Sequence, residues 1–275
     1  SLIANGANMD LQDEYGSTAL ILAAQNGHTD IAASLIGNGA NMDIQNKYGK
    51  PALLLATRMG RADIAASLIA KGANMDIQDK DGNTALILAA EKGHINIAAS
   101  LIAKGTNMDI MNDAGVTALL LATAKGRTDI AASLIAEGAD MEIQNILGYT
   151  ALLMAAANGH TDIAASLIAN GANMDVQDED GKTALIWAAF NGHTDIAASL
   201  IAKGANMDIQ NKSGSTALIL AAEKGHTDIA ASLIAKGADI DMEDKDGKTA
   251  LILANENGRA DIAASLIAKG ADRDM

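Results

Sequence analysis

Apolar and polar positions alternate along this chain in blocks that return every 33 residues. The clearest mark of the period is the run Gly-x-Thr-Ala-Leu. Its glycine recurs at Gly16, Gly82, Gly115, Gly148, Gly181, Gly214 and Gly247. Gly49 belongs to the same series, but Pro51 replaces the threonine. A fixed period of this length is typical of proteins built from stacked structural repeats, so the chain has to be interpreted one repeat at a time.

The copy at residues 79–111 shows which elements each repeat predicts. A polar turn precedes Thr84, which stands where a helix N-cap belongs, ahead of six apolar residues. Gly93 ends this first helix, and a second helix over residues 95–104 places small and branched apolar side chains on one face. Two helices this short are unstable alone, so neighbouring copies must bury a shared core.

This repeat resembles the ankyrin repeat, and the resemblance covers all of residues 1–275. The shared residues are Asp-x-x-Gly-x-Thr, then Leu-Ala-Ala, Gly-His and a late Gly-Ala, while Thr-Ala-Leu stands where the family has Thr-Pro-Leu-His. The resemblance implies an all-α repeat solenoid, in which helix-turn-helix units with β-turn fingers stack into a curved array. It implies a single domain that binds a partner protein or peptide on its concave face and β-turn tips.

The period also sets the repeat boundaries. Residues 1–12 form a partial repeat, and residues 244–275 form a last repeat that lacks one residue. The seven full repeats are 13–45, 46–78, 79–111, 112–144, 145–177, 178–210 and 211–243. Terminal repeats of an array normally have a polar outer face, and here only Asn255 and Arg273 make the last repeat more polar. We expect a segment of a longer array whose uncapped termini allow end-to-end self-association.

The composition is acidic, with 34 Asp and Glu against 20 Lys and Arg and a net charge of −14. Many of these acids recur by period, which is typical of a solvated scaffold. The negative charge argues against nucleic acid and anionic membranes as partners. The chain has no cysteine, no visible signal peptide and no apolar run as long as a membrane span, which favours a cytoplasmic location.

The candidate catalytic and metal-binding motifs each lack residues that the chemistry requires. All five histidines occupy one repeat position, which arginine fills at Arg61, Arg127 and Arg259, so this position requires a hydrogen-bond donor rather than a metal ligand. The Gly-Lys-Thr runs lack the first glycine of a phosphate-binding loop, and the Asp-x-Asp-Gly turns lack the last acid of a calcium loop. We expect a non-enzymatic protein without cofactor or metal.

Function in a repeat protein is expected where the copies differ. We call the second, third and fifth residues of each repeat its fingertip. The chain has five aromatic residues, and four occupy fingertips or the exposed end of a first helix: Tyr15, Tyr48, Tyr149 and Phe190. The fifth, Trp187, is three residues before Phe190 on the same predicted helix face. Aromatic residues dominate binding energy at interfaces, so this placement is informative.

Two groups of residues are therefore predicted to bind a partner. The fifth repeat carries an apolar fingertip, and apolar residues precede and follow it along the chain: Met111, Val116, Ile146, Leu147, Tyr149, Trp187 and Phe190. A second, smaller group lies in the first two repeats: Tyr15, Tyr48, Arg58 and Met59. Adjacent apolar fingertips would form a contiguous patch of the kind that marks an interaction site. The alternative is that these side chains pack against neighbouring fingers, with Trp187 filling the core.

Two classes of function remain open from the sequence. The first is a protein-protein interaction scaffold that holds an extended segment or a helix. The second is a structural spacer or elastic rod, or an engineered scaffold with no natural partner, which the near-uniform framework favours. A spacer would scatter its surface differences evenly over both faces, whereas a binding module would concentrate them on one.

Overall fold

The computed structural model describes residues 6–271, and within this range the chain forms sixteen α-helices, two in each of the seven full repeats and two in the last repeat. The first five and last four residues, including Arg273, lie outside the described residues. The chain divides into two compact units, Ser1–Asp140 and Met141–Met275. The all-helical repeat solenoid predicted from the sequence is confirmed.

Unit 1 contains the first eight helices: α1 (Ala19–Asn26), α2 (Thr29–Gly37), α3 (Ala52–Arg58), α4 (Ala62–Ala70), α5 (Ala85–Lys92), α6 (Ile95–Ala103), α7 (Ala118–Ala124) and α8 (Thr128–Ala136). Unit 2 contains the other eight: α9 (Ala151–Asn158), α10 (Thr161–Ala169), α11 (Ala184–Asn191), α12 (Thr194–Ala202), α13 (Ala217–Lys224), α14 (Thr227–Lys236), α15 (Ala250–Glu256) and α16 (Ala260–Ala268).

Each first helix begins at the position that the Gly-x-Thr-Ala-Leu run predicts. Thr84 has extended backbone angles, and its side-chain oxygen accepts a hydrogen bond from the backbone N–H of Ile87 at 3.3 Å. The same cap recurs in both units, but α3 starts after Pro51, which has no side-chain cap. The predicted N-cap is confirmed, as are the left-handed glycine that ends α5 and the extent of α6 to within one residue.

The first helices end in two different ways. Where histidine follows the inter-helix glycine, the helix has eight residues and the left-handed glycine caps it, as at Gly27. Where arginine follows, the helix has seven residues and the residue before the glycine caps it, as at Met59. The shorter helices also carry Thr57, Thr123 or Asn255 where the longer ones carry alanine. The chain therefore contains two kinds of repeat.

Small and branched apolar side chains form the core of each unit. In both units each first helix packs on the first helices of adjacent repeats and on its own second helix, and second helices pack on one another. Leu53, Leu54 and Leu68 in unit 1 and Leu167 and Leu200 in unit 2 are at most 1% exposed. Alanines between them let neighbouring helices approach closely, so the core continues from one repeat to the next within each unit.

Hydrogen bonds also join the loops of adjacent repeats. At the fingertips, the backbone N–H of Lys47 bonds to the oxygen of Tyr15 at 2.9 Å, and that of Lys212 to the oxygen of Asp180 at 2.8 Å. In the inter-repeat loops, Asp43 accepts from the backbone N–H of Asn74 at 2.9 Å. Equivalent aspartates accept the same hydrogen bond in both units. These periodic acids, which the sequence assigned to a solvated surface, therefore also connect adjacent repeats.

Candidate functional site

Unit 2 brings three of its aromatic residues into one group, which we call the aromatic cluster: Tyr149, Trp187 and Phe190. The ring centroids of Tyr149 and Trp187 are 6.0 Å apart with planes inclined at 35°. Trp187 and Phe190 are 6.1 Å apart and nearly perpendicular, at 89°. Tyr149 comes from the fingertip before α9, and the other two from one face of α11. All three rings are half-buried, so each keeps part of its surface open to solvent.

Trp187 is held in place by its indole nitrogen. Nε1 donates a hydrogen bond to Oδ2 of Asp178 at 2.8 Å. Asp178 is only 7% exposed. Its other carboxylate oxygen accepts hydrogen bonds from the backbone N–H groups of Asp180 and Lys182. The ring is therefore neither a buried core residue nor a mobile surface side chain, because the turn of its own repeat anchors it.

Two lysines lie against the aromatic cluster. Nζ of Lys182 is 4.1 Å from the Trp187 ring centroid and 5.7 Å from that of Phe190. Nζ of Lys224 is 5.0 Å from the Phe190 centroid. All three distances are within the range in which an ammonium group is attracted to the face of an aromatic ring. Lys182 also contacts Asp180 at 3.4 Å, and Lys224 contacts Glu223 at 2.9 Å.

The surroundings of Tyr149 disfavour the ionised form of its side chain. Burial raises the pKa of Tyr149 above its ordinary value of 10.0, and the charges of Asp178 and Asp180 raise the pKa further. Because both effects oppose the phenolate, the Tyr149 hydroxyl is neutral and remains a hydrogen-bond donor at neutral pH.

The fingertip beside this cluster is apolar and exposed. Ile146 is 67% exposed and Leu147 is 53% exposed. The turn that presents them is well fixed, since Oδ1 of Asn145 accepts from the backbone N–H groups of Leu147 at 2.9 Å and Tyr149 at 3.0 Å. The oxygen of Leu147 in turn accepts from the backbone N–H of Glu179 at 3.3 Å. Ile146 and Leu147 are therefore held in solvent by a hydrogen-bonded loop.

Met111 and Val116, which the sequence grouped with this patch, belong to unit 1. Met111 is 48% exposed and Val116 is half-buried. Gln78 donates to the backbone oxygen of Met111 at 2.9 Å, and Asn112 accepts from the backbone N–H of Val116 at 3.0 Å. Val116 is thus a fingertip residue of unit 1, and Met111 is the last residue of the repeat before it.

The second predicted group is partly assembled, also in unit 1. Tyr15 and Tyr48 are 56% and 58% exposed and line a surface cleft of about 420 Å³ together with Arg58, Leu22 and Leu55. We call this the tyrosine cleft. Met59, at the end of α3, is 47% exposed and does not line it. The structure thus brings Tyr15, Tyr48 and Arg58 together and leaves Met59 beside them.

Several side chains that shape these sites were missed at the sequence level. Asp178 and Lys182 anchor and cover Trp187, and Lys50 pairs with the buried carboxylate of Asp79 at 3.5 Å beside the tyrosine cleft. One signal was available, because Lys182 and Lys50 occupy the same variable repeat position as Tyr149. Ile95 is 49% exposed at the start of α6, where other repeats have threonine or alanine.

No three His, Asp or Glu side chains of residues 6–271 are arranged to hold a metal ion. None of the helices in that range is long and apolar enough to cross a membrane.

Comparison with known proteins gives one result for family membership. A family model for ankyrin repeats, in three copies, matches residues 1–79, 67–145, 128–211 and 197–275, which together span the chain. No curated protein sequence matches the chain significantly.

Proposed function

The chain belongs to the ankyrin repeat family, and from this premise we propose that it is a non-enzymatic scaffold that binds another protein or peptide. Ankyrin repeats are generally protein-protein interaction modules, so the general class of function follows from the family. The finer proposal is that the partner contacts the fingertips and first helices, on the side expected to be concave. The principal contact is the apolar fingertip and aromatic cluster of unit 2.

The main support for this proposal is the exposure of Ile146 and Leu147 to solvent. Ordinary fingertips in this chain are polar at the same two positions, as in Lys80-Asp81 and Lys245-Asp246. Two large apolar side chains held in solvent by a fixed turn lose contact with water when a partner covers them, and the loop loses little conformational freedom. Next to them, the aromatic cluster supplies the residue types that dominate interface energies.

The distribution of exposed apolar residues favours binding over a spacer. Ten large hydrophobic side chains in residues 6–271 are exposed: Leu11, Tyr15, Leu22, Ile31, Tyr48, Met59, Ile95, Met111, Ile146 and Leu147. Ile31 and Ile95 lie on second helices, and Met59 directly follows the first helix α3. The other seven lie on first helices, at fingertips or in the loops leading to them. A spacer with no partner has no reason to concentrate them there. We include the tyrosine cleft, Met59, Met111 and Val116 in the proposed surface as contacts of unit 1.

A peptide display library screened on the full chain would provide ligands for a quantitative test. Their affinities would be measured by calorimetry for the wild type and for the double variant Ile146→Lys/Leu147→Asp. This variant gives the fifth repeat the second and third residues of the third and eighth repeats. We expect at least about a tenfold loss of affinity, since two buried apolar side chains contribute several kcal/mol. Ser213→Asp, a fingertip change two repeats further on, is the matched control and should leave affinity unchanged. Equal affinities for all three proteins would refute the site.

A further inference from the structure

The ammonium group of Lys182 already occupies the aromatic cluster like a bound ligand. Its Nζ lies over the Trp187 ring at 4.1 Å and near the perpendicular Phe190 ring at 5.7 Å, and Asp180 contacts it at 3.4 Å. Two aromatic faces and a carboxylate around one ammonium are the elements by which proteins recognise alkylammonium ligands. The arrangement is therefore chemically suited to an ammonium group.

The surroundings of the cluster favour a cation. Asp178 is hydrogen-bonded to the indole, and Asp180 is an exposed carboxylate beside it. Burial raises the pKa of Tyr149, and these two acids raise it further, so their negative charge is felt at the third ring as well. The chain as a whole carries a net charge of −14, which attracts basic partners over longer distances.

The fold does not depend on the Lys182 side chain lying over the cluster. Its backbone N–H forms the structural hydrogen bond to Asp178 at 2.8 Å, and this bond does not depend on the side chain. The ammonium contacts an exposed carboxylate, the kind of ion pair that contributes little to stability. Other repeats have Ser17, Asn83 or Ser215 at this position, so the fold does not require a cation here.

We propose that Tyr149, Trp187 and Phe190 form a binding site for the ammonium group of a lysine side chain on the partner, and that Lys182 occupies this site until the partner displaces it. This inference rests on the proposed function and specifies the chemistry of the partner: a basic segment that places a lysine, unmodified or N-methylated, on the cluster while neighbouring apolar residues cover Ile146 and Leu147. Lys182 acts as an internal competitor that lowers the affinity for weakly basic segments.

Trp187 is the single tryptophan of the chain, so its fluorescence reports directly on this site. The full-length protein would be titrated with tetramethylammonium chloride, with sodium chloride at equal ionic strength as the reference. We expect a saturable change in Trp187 fluorescence with tetramethylammonium alone. In Lys182→Ser, which removes the competitor, half-saturation should occur at a concentration about threefold lower. Lys182→Arg keeps a cation over the ring and should behave like the wild type.

A second arm uses peptides to identify the form of lysine. Three capped peptides, Gly-Ser-x-Ser-Gly, would carry lysine, trimethyl-lysine or uncharged norleucine at the central position. We expect at least one of the two cationic peptides to bind about fivefold more tightly than the norleucine peptide, and Tyr149→Ser to remove this difference. Which cationic peptide binds better identifies the form of lysine that the site prefers.

Circular dichroism would establish that each variant keeps its helical content and melting temperature. Trp187→Leu restores the residue found in most other repeats, and it should abolish binding in calorimetry although the protein remains folded. Equal fluorescence changes with tetramethylammonium and sodium, or equal binding of the lysine and norleucine peptides, would overturn the inference. If library peptides still lose affinity in Ile146→Lys/Leu147→Asp, only the lysine site is wrong; if they do not, the proposed function itself fails.

Discussion

Thr57 and Thr123 each bury a hydroxyl group for which residues 6–271 provide no hydrogen-bond partner. Both side chains are fully buried on their first helices, where Ala24, Ala90 and Ala156 stand in other repeats. A buried polar group that loses water without gaining a partner costs about 1–3 kcal/mol. These two threonines are therefore local weak points in unit 1.

Removing one of these hydroxyl groups should stabilise the protein. Thr57→Val keeps the shape of the side chain and removes only the unpaired oxygen, so the free energy of unfolding in urea should rise by about 1 kcal/mol. Thr84→Val is the matched control, because it removes a hydroxyl that caps α5, and it should lower the free energy by about 1 kcal/mol. Destabilisation of similar size by both variants would show that the Thr57 hydroxyl has a partner.

Tyr149 should make the stability of the protein depend on alkaline pH. Burial and the neighbouring acids raise its pKa in the folded state, so the folded protein binds this proton more tightly than the unfolded chain does. The resulting stabilisation is complete below about pH 10, the pKa of an unfolded tyrosine, and is lost as pH rises through the higher folded value. Urea midpoints measured from pH 9 to 11.5 should fall less steeply for Tyr149→Phe than for the wild type. Parallel curves would contradict this assignment.

At the scale of single elements, the glycine between the two helices of a repeat has two separate roles. Gly192 is left-handed, with φ of 77°, and a Cβ atom there would lie 2.5 Å from the imidazole of His226 in the next repeat. That imidazole also has its Nε2 3.3 Å from the backbone oxygen of Phe190. The glycine thus ends one helix and allows the next repeat to pack closely.

Comparison with a second glycine separates these roles. Gly171 is also left-handed, with φ of 87°, but nothing lies within 4 Å of a Cβ added there. Gly171→Ala should therefore cost only the backbone strain, about 1–2 kcal/mol. Gly192→Ala should cost more, because the His226 imidazole must move and lose its contact with the Phe190 oxygen. Urea unfolding of the two variants measures the difference, and equal losses would show that the imidazole contact contributes nothing.

The sequence predicted these elements well because their determinants are local. A threonine before an apolar run and a glycine after it specify a helix within a few residues, and Thr84 and Gly93 lie where expected. The two lengths of the first helix were not predicted, although the changes that accompany them, Thr57 with Arg61 and Thr123 with Arg127, are visible in the sequence.

The site was predicted less completely because it depends on contacts between repeats and on side-chain rotamers. Spacing on one helix face placed Trp187 beside Phe190, and the fingertip pattern singled out Ile146 and Leu147. No local sequence pattern indicates that Lys182 lies over the Trp187 indole, or that Asp178 accepts the hydrogen bond from the indole N–H. The assignment of Met111 and Val116 to the same patch as Ile146 remains a prediction.

At the scale of the whole molecule, stability should be divided among repeats. Within each unit the main contacts of a helix are with its own repeat and the adjacent ones, so a local defect should destabilise the adjacent repeats most. Hydrogen exchange followed by mass spectrometry should show faster exchange in α11, α12 and α14 of Gly192→Ala, with α1 to α4 little changed. The wild type should likewise exchange faster in its terminal repeats than in its central ones. Uniform exchange along the chain, or one sharp two-state transition, would contradict this view.

The central claim is that the apolar fingertip of the fifth repeat is where a partner binds. The most direct test places a photoreactive residue at position 147 in place of Leu147, with Ser213 replaced in the same way as the control. Each protein is irradiated with a selected peptide ligand, and the covalent adducts are counted by mass spectrometry. We expect adducts from position 147 and almost none from position 213. Equal adduct formation from both positions, or adducts from position 213 alone, would contradict it.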